Sequence, residues 1–167
     1  MLIGIFTLSS ALCRAESVSH NFNEMYAAGT LTFPNRPDYS IGVADGITYT
    51  GSTGGTFANV GGGIIGISLP NNGVIQTSPA ITDLTRVTFY HNKGSAPTGV
   101  KVYISTDNSN WTEISSSATY GSSSIDAPMP TKGNYYIKLV NKSGATVNFL
   151  RVSYTYESCR CLRVVIN

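Results

Sequence analysis

Apolar and polar residues alternate one for one in segment after segment of this chain, and each segment ends in a cluster of Gly, Pro, Asn or Ser. Side chains along a β-strand point to opposite faces in turn, so a period of two marks strands with one buried and one open face. The pattern predicts strands over 46–50, 63–69, 74–77, 85–91, 100–105, 111–114, 135–141 and 147–156. Turn clusters such as Pro70-Asn71-Asn72-Gly73, Asn92-Lys93-Gly94 and Lys142-Ser143-Gly144 separate them, and Asp107-Asn108-Ser109-Asn110 reads as a hairpin connection. No helical pattern intervenes. The fold class is therefore read as all-β, a two-sheet antiparallel β-sandwich.

Composition agrees. Gly, Ser, Thr and Asn make up 68 of 167 residues, and these disfavour helices by backbone entropy or by competing for the hydrogen bonds. With 41% hydrophobic residues, ten Tyr, six Phe and one Trp, there is material for a packed core, which argues against disorder. Only 12% of residues are charged and the formal net charge is +2, no footprint for nucleic acid. Between residues 16 and 158 there are eight basic and nine acidic side chains, so the excess of positive charge belongs to the termini.

Both termini carry their own expectations. Residues 1–12 form an apolar run too short to span a bilayer and of the right length for a leader, with a small-residue cleavage pattern at Cys13-Arg14-Ala15. Residues 1–15 are read as a signal peptide, 16–157 as the β-sandwich, and 158–167 as an unstructured tail; since no Lys or Arg precedes the apolar run, a buried strand is the alternative for the first segment. That places the protein outside the cell. With Cys13 in the leader, Cys159 and Cys161 alone give no disulfide framework and no four-ligand zinc site.

The alternation also sorts residues by face. Val87 and Phe89 point inward, which sends Arg86 and Tyr90 outward; Val100, Val102 and Ile104 do the same for Lys101 and Tyr103. Tyr135, Ile137 and Leu139 turn Tyr136 and Lys138 outward, and an inward set of Leu150, Val152 and Tyr154 exposes Arg151. Seven residues thus form the candidate ligand-binding face: Arg86, Tyr90, Lys101, Tyr103, Tyr136, Lys138 and Arg151. Aromatic rings suit the apolar faces of pyranoses, and Lys or Arg suits ligand carboxylates. That combination fits an acidic polysaccharide, provided the four strands share one sheet. The plainer reading is that Lys and Arg blunt strand edges and that Tyr is a good strand former. A loop-tip site built from Tyr26, Tyr39 and Tyr120 is the alternative location.

The run Gly99-Val100-Lys101-Val102-Tyr103-Ile104-Ser105-Thr106-Asp107-Asn108-Ser109-Asn110-Trp111-Thr112 resembles the strand–turn–strand hairpin of galactose-binding-like jelly rolls, a fold of carbohydrate-binding modules. Residues 135–141 and 147–156 resemble the strands that follow it there. Ala44-Asp45-Gly46-Ile47-Thr48-Tyr49 is similar to non-catalytic modules of secreted bacterial pectin-degrading enzymes. The resemblance implies polysaccharide binding without catalysis, pectin or homogalacturonan being the ligand, by a monomeric module attached to or encoded beside a carbohydrate-active enzyme. Many such modules hold a structural calcium between an early acidic residue, here Glu16 or Glu24, and an Asp in the last strand. Thr146-Val147-Asn148-Phe149-Leu150-Arg151 has no Asp, so no cofactor is expected.

Other signals are weaker. Trp111, closing a hairpin, is expected in the core. The Gly51–Gly55 and Gly61–Gly63 clusters lack the Lys and Ser/Thr of a phosphate loop. The isolated His20 and His91 name no metal partners, and most carboxylates lie beside turn residues rather than as a catalytic pair. No Gly-x-Ser-x-Gly elbow occurs. An enzyme is therefore not expected. A structural or adhesive sandwich and a small polysaccharide lyase or hydrolase remain as alternatives.

Overall fold

The computed structural model describes residues 7–35, 38–92, 99–114, 116 and 123–165. In chain order the elements are β1 (Thr7–Asn21), α1 (Phe22–Ala27), β2 (Leu31–Thr32), β3 (Ile41–Ala44), β4 (Ile47–Ser52), β5 (Thr56–Asn59), β6 (Ile65–Leu69), β7 (Val74–Ser78) and β8 (Ile81–His91). They continue as β9 (Val100–Ser105), β10 (Thr112–Ile114), β11 (Ser124–Asn141) and β12 (Val147–Val165). The chain is an antiparallel β-sandwich of the jelly-roll type. One layer runs β5-β6-β12-β8 and ends on the first half of β11, with β1 laid along β12. The other runs β10-β9, the second half of β11, then β7-β4-β3-β2.

Strand β11 joins the layers. Ile125, Ala127 and Met129 point into the core from its first half, and Tyr135, Ile137 and Leu139 from its second. Its pairing with β8 shifts register between Pro128 and Gly133 and again before Tyr135. A bulge of this kind bends a strand, and here the bend carries β11 from one sheet to the other. Alternation alone starts this strand only at residue 135, because Pro128 and Pro130 have the character of a loop. Both are exposed and lie on the half of β11 that forms a sheet edge, where a missing N–H costs no ladder bond.

The core between the layers is aromatic at one end. Phe22 meets Tyr49 edge to face at 5.4 Å and Phe57 at 5.3 Å, the arrangement ring quadrupoles favour. Phe22 arrives there because Asn21 caps α1, its side chain accepting from the Glu24 amide. Beside it His20, Tyr49 and Tyr154, drawn from β1, β4 and β12, form a buried polar chain. His20 Nδ1 lies 2.6 Å from the Tyr49 hydroxyl, which lies 2.8 Å from that of Tyr154. Two glycines allow tight approaches: a Cβ on Gly55 would stand 2.2 Å from the Val74 carbonyl oxygen, and one on Gly42 would stand 2.4 Å from the Phe57 ring.

Several expectations change. Phe149, not Leu150, is the core residue of β12, because the β12–β8 pairing skips a residue between Phe149 and Arg151 and resets the alternation. Elements α1, β2, β3 and β5 carry too few residues for a visible period. The segment read as an unstructured tail continues β12 to Val165, and residues 7–15 pair with it. Cys13 is disulfide-bonded, contrary to the expectation of no disulfide, and Cys159 stands directly opposite it in the ladder. Pairing between the two ends of a chain leaves no local sequence signal, so these residues read separately as leader and tail.

Candidate functional site

The seven residues picked from the sequence fall on two outer faces, not one. Lys101 and Tyr103 on β9 join Tyr136 and Lys138 on the second half of β11. Arg86 and Tyr90 on β8 join Arg151 on β12 in the other layer. The core lies between these faces. A single basic face is thus corrected to two, and the cause is the bend in β11, which sends its two halves into different sheets.

On the β8–β12 face the charged groups are matched internally. Arg86 Nη1 donates to Asp126 Oδ2, and Thr88 Oγ1 donates to Asp126 Oδ1 at 2.9 Å. The Arg151 guanidinium lies 3.8 Å over the Tyr90 ring. Beside them run hydroxyl pairs, Ser19–Ser153 at 2.9 Å and Ser17–Thr155 at 3.0 Å.

The β9–β11 face is built differently. Strand registers set Glu113 opposite Tyr103, Tyr103 opposite Lys138, and Lys138 opposite Gln76, a row across β10, β9, β11 and β7. Directly opposed side chains on one face stand close enough to touch. The Lys138 ammonium sits 4.0 Å from the Trp111 ring centroid and 5.5 Å from that of Tyr103, within range of cation–π attraction. No described carboxylate forms an ion pair with it, and desolvation by the surrounding rings pushes its pKa down. Around this centre Lys101 Nζ donates to Glu113 at 2.8 Å, the Tyr103 hydroxyl donates to the other oxygen of Glu113 at 3.3 Å, and Gln76 Nε2 donates to Asn108 Oδ1 at 2.6 Å. The bond to Lys101 lowers the Glu113 pKa and raises that of Lys101, while desolvation is the first cause that raises Tyr103.

The hairpin that presents Trp111 is held by Asp107. Its carboxylate accepts from the amides of Ser109 and Asn110 at 2.9 and 2.8 Å, from the Asn110 side chain at 2.7 Å and from the Ser105 hydroxyl at 2.9 Å. These bonds, those from Asn110 foremost, hold its pKa far below the usual carboxylate range. Trp111 is therefore fixed on the outer face beside Lys138, not packed in the core as expected. The signal is present in the sequence. Trp111 and Glu113 share parity, while the positions of opposite parity, Thr112 and Ile114, pair with Ile104 and Val102. Gln76 and Asn108 carry no such signal. Tyr120, one of the loop-tip residues, lies outside the described residues.

Half-buried rings, one ammonium without an ionic partner among the described residues, a carboxylate and two amides on one sheet face can bind a polar ring compound that also has an apolar face. Among the described residues, no group of three or more His, Cys, Asp or Glu could hold a metal ion. No family model and no curated protein matches the chain. Among solved structures it is similar to "Carbohydrate binding module family29", with TM-score 0.49 and 14% identity over 85% of this chain and 89% of that one. A mutant of a family 29 carbohydrate-binding module, made to probe the mechanism of ligand recognition, gives TM-score 0.49 and 13% identity over 85% and 92% of the two chains. A low-affinity xylan binding module from the gut symbiont Roseburia intestinalis gives TM-score 0.33 and 11% identity over 89% and 96%.

Proposed function

We propose that this chain is a non-catalytic polysaccharide-binding module whose ligand lies on the outer face built by β10, β9, β11 and β7. The observation that carries the reading is the Lys138 ammonium, held over Trp111 and Tyr103 without a carboxylate partner among the described residues. Ring faces left partly open beside it suit the axial C–H patch of a pyranose. The ammonium suits a uronate carboxylate, so the preferred ligand is an acidic plant cell-wall glycan such as homogalacturonan. Lys101 with Glu113, and Gln76 with Asn108, offer hydrogen bonds at the rim. Tyr136 extends the aromatic surface along β11.

The faces differ in what a ligand must displace. Binding to Arg86 would break its bond to Asp126, whereas Lys138 gives up only weak ring attraction. The reading also makes the protein extracellular: a disulfide at Cys13 belongs to an oxidising compartment.

Affinity electrophoresis through homogalacturonan, glucan, mannan and xylan tests the proposal, with wild type, Lys138→Met and Trp111→Ala compared. Homogalacturonan is expected to retard wild type most, with the effect fading as salt rises. Lys138→Met removes a charge-assisted bond of about 1.5–3 kcal/mol, or about 10-fold to 150-fold in affinity. Equal retardation by pectin and neutral glycans refutes the acidic preference. Unchanged binding by Trp111→Ala refutes the site.

A further inference from the structure

A second binding feature lies away from this face. The large hydrophobic side chains that are exposed among the described residues are Tyr26 and Tyr39, each 38% exposed, and Ile64 at 40%. Tyr26 and Tyr39 line one cleft of about 210 Å³, and Ile64 adjoins its lining residue Ile65. Tyr26 comes from α1 and Tyr39 from the segment between β2 and β3. The buried rings of Phe33 and Phe57 complete the lining. Phe33 meets Tyr39 edge to face at 4.9 Å and Tyr26 in a tilted contact at 5.8 Å, so both outer rings are braced by the same buried ring.

The rim is polar and uncharged. Asn59 lines it, and its side-chain oxygen accepts from the amides of Gly61 and Gly63 at 3.0 and 3.2 Å. The side-chain nitrogen of Asn59 is thereby the group it offers to a ligand, beside two tyrosine hydroxyls. No charged side chain is found among the described residues that line the cleft.

We infer that this cleft is a separate site for one neutral pyranose unit, stacked against Tyr26 or Tyr39 and hydrogen-bonded through Asn59 Nδ2 and the phenol hydroxyls. The space is below the roughly 300 Å³ at which drug-sized pockets begin, which suits a single sugar ring. Aromatic walls match the apolar face of such a ring, and the uncharged rim matches its hydroxyls without favouring a carboxylate. The cleft stands on its own lining and does not depend on the Lys138 face.

The test is an NMR titration of the full chain carrying labelled tyrosine, with the methyl β-pyranosides of glucose, galactose, mannose and xylose and a galacturonate monomer as probes. Tyr26 and Tyr39 signals are assigned from Tyr→Phe variants. The expected result is that at least one neutral glycoside shifts both signals and leaves the fluorescence of Trp111, the sole tryptophan, unchanged. Raising NaCl from about 50 mM to about 500 mM should alter that affinity less than about twofold. Tyr39→Ala should weaken it about tenfold or more, and Trp111→Ala should leave it intact. Because Tyr39→Ala could disturb Phe33, Asn59→Asp provides a second arm: it keeps the oxygen that caps Gly61 and Gly63 while replacing the donor with an acceptor, and should also weaken binding. No shift with any neutral glycoside, or a stronger response to galacturonate, overturns the inference. Loss in Trp111→Ala with retention in Tyr39→Ala overturns it too and leaves the Lys138 face standing.

Discussion

Tyr49 is the middle member of the buried chain from His20 to Tyr154, and removing its hydroxyl should cost far more than removing Tyr154's. His20 is fully buried, and burial lowers its pKa, so its ring is neutral. Asp45 Oδ2 lies 3.5 Å from Nε2, too long for a good hydrogen bond but near enough to favour the proton there. That tautomer, assigned from the network, makes Nδ1 an acceptor for the Tyr49 hydroxyl, which in turn accepts from Tyr154. Burial raises the pKa of both phenols, so neither ionises. Tyr49→Phe keeps the ring but leaves two buried polar atoms without partners, at about 1–3 kcal/mol each. The expected loss is about 2–6 kcal/mol, or roughly 4–24 °C in Tm for a chain of this length. Tyr154→Phe leaves the Tyr49–His20 bond in place and should cost only about 0.5–1.5 kcal/mol. The double variant should cost less than the sum, since only His20 is then orphaned. Urea denaturation of the four proteins reads all three values. Equal losses in the two single variants, or strict additivity, would refute this account of the core.

Other outcomes follow from the same contacts. Because burial depresses His20 in the folded state while the unfolded residue titrates at 6.5, the unfolded chain binds more protons just below that pH, and stability should fall as pH drops through 6.5 toward the folded value. Asp45 partly offsets the depression, so Asp45→Asn should enlarge the acid loss; urea midpoints between about pH 7.5 and about pH 5.5 check both signs. Gly55→Ala drives a Cβ against the Val74 carbonyl, a backbone atom that cannot swing aside, and should destabilise by about 1–3 kcal/mol in the same assay. Cleavage after Ala15 would leave the leader segment tied to the rest of the molecule only through the Cys13 disulfide. Intact mass of the protein, with and without reductant, distinguishes the uncleaved chain from a cleaved one, which loses the leader segment only on reduction, and Cys13→Ser in the full chain should cost about 2–5 kcal/mol.

The sequence by itself determined the longer alternating strands and most of their inward residues, because side-chain direction in a strand depends only on parity. Val87, Val102, Ile137 and Leu139 are buried where that rule puts them. Parity also placed Lys101, Tyr103, Tyr136 and Lys138 on open faces, and it held the clue to Trp111 in its spacing from Glu113. Parity fails at a bulge, which is why it points to Leu150 where the core holds Phe149. It says nothing about which strands are neighbours, since ladder hydrogen bonds are made by backbone groups that nearly every residue carries. Only the tertiary structure could therefore decide that β11 bends between sheets, that one apparent binding face is two, and that Thr7–Asn21 pairs with the far end of the chain. The Tyr26–Tyr39 cleft belongs to the same class of fact. Its lining comes from α1, β5, β6 and the stretch between β2 and β3, and packing over long sequence separations brings those pieces together.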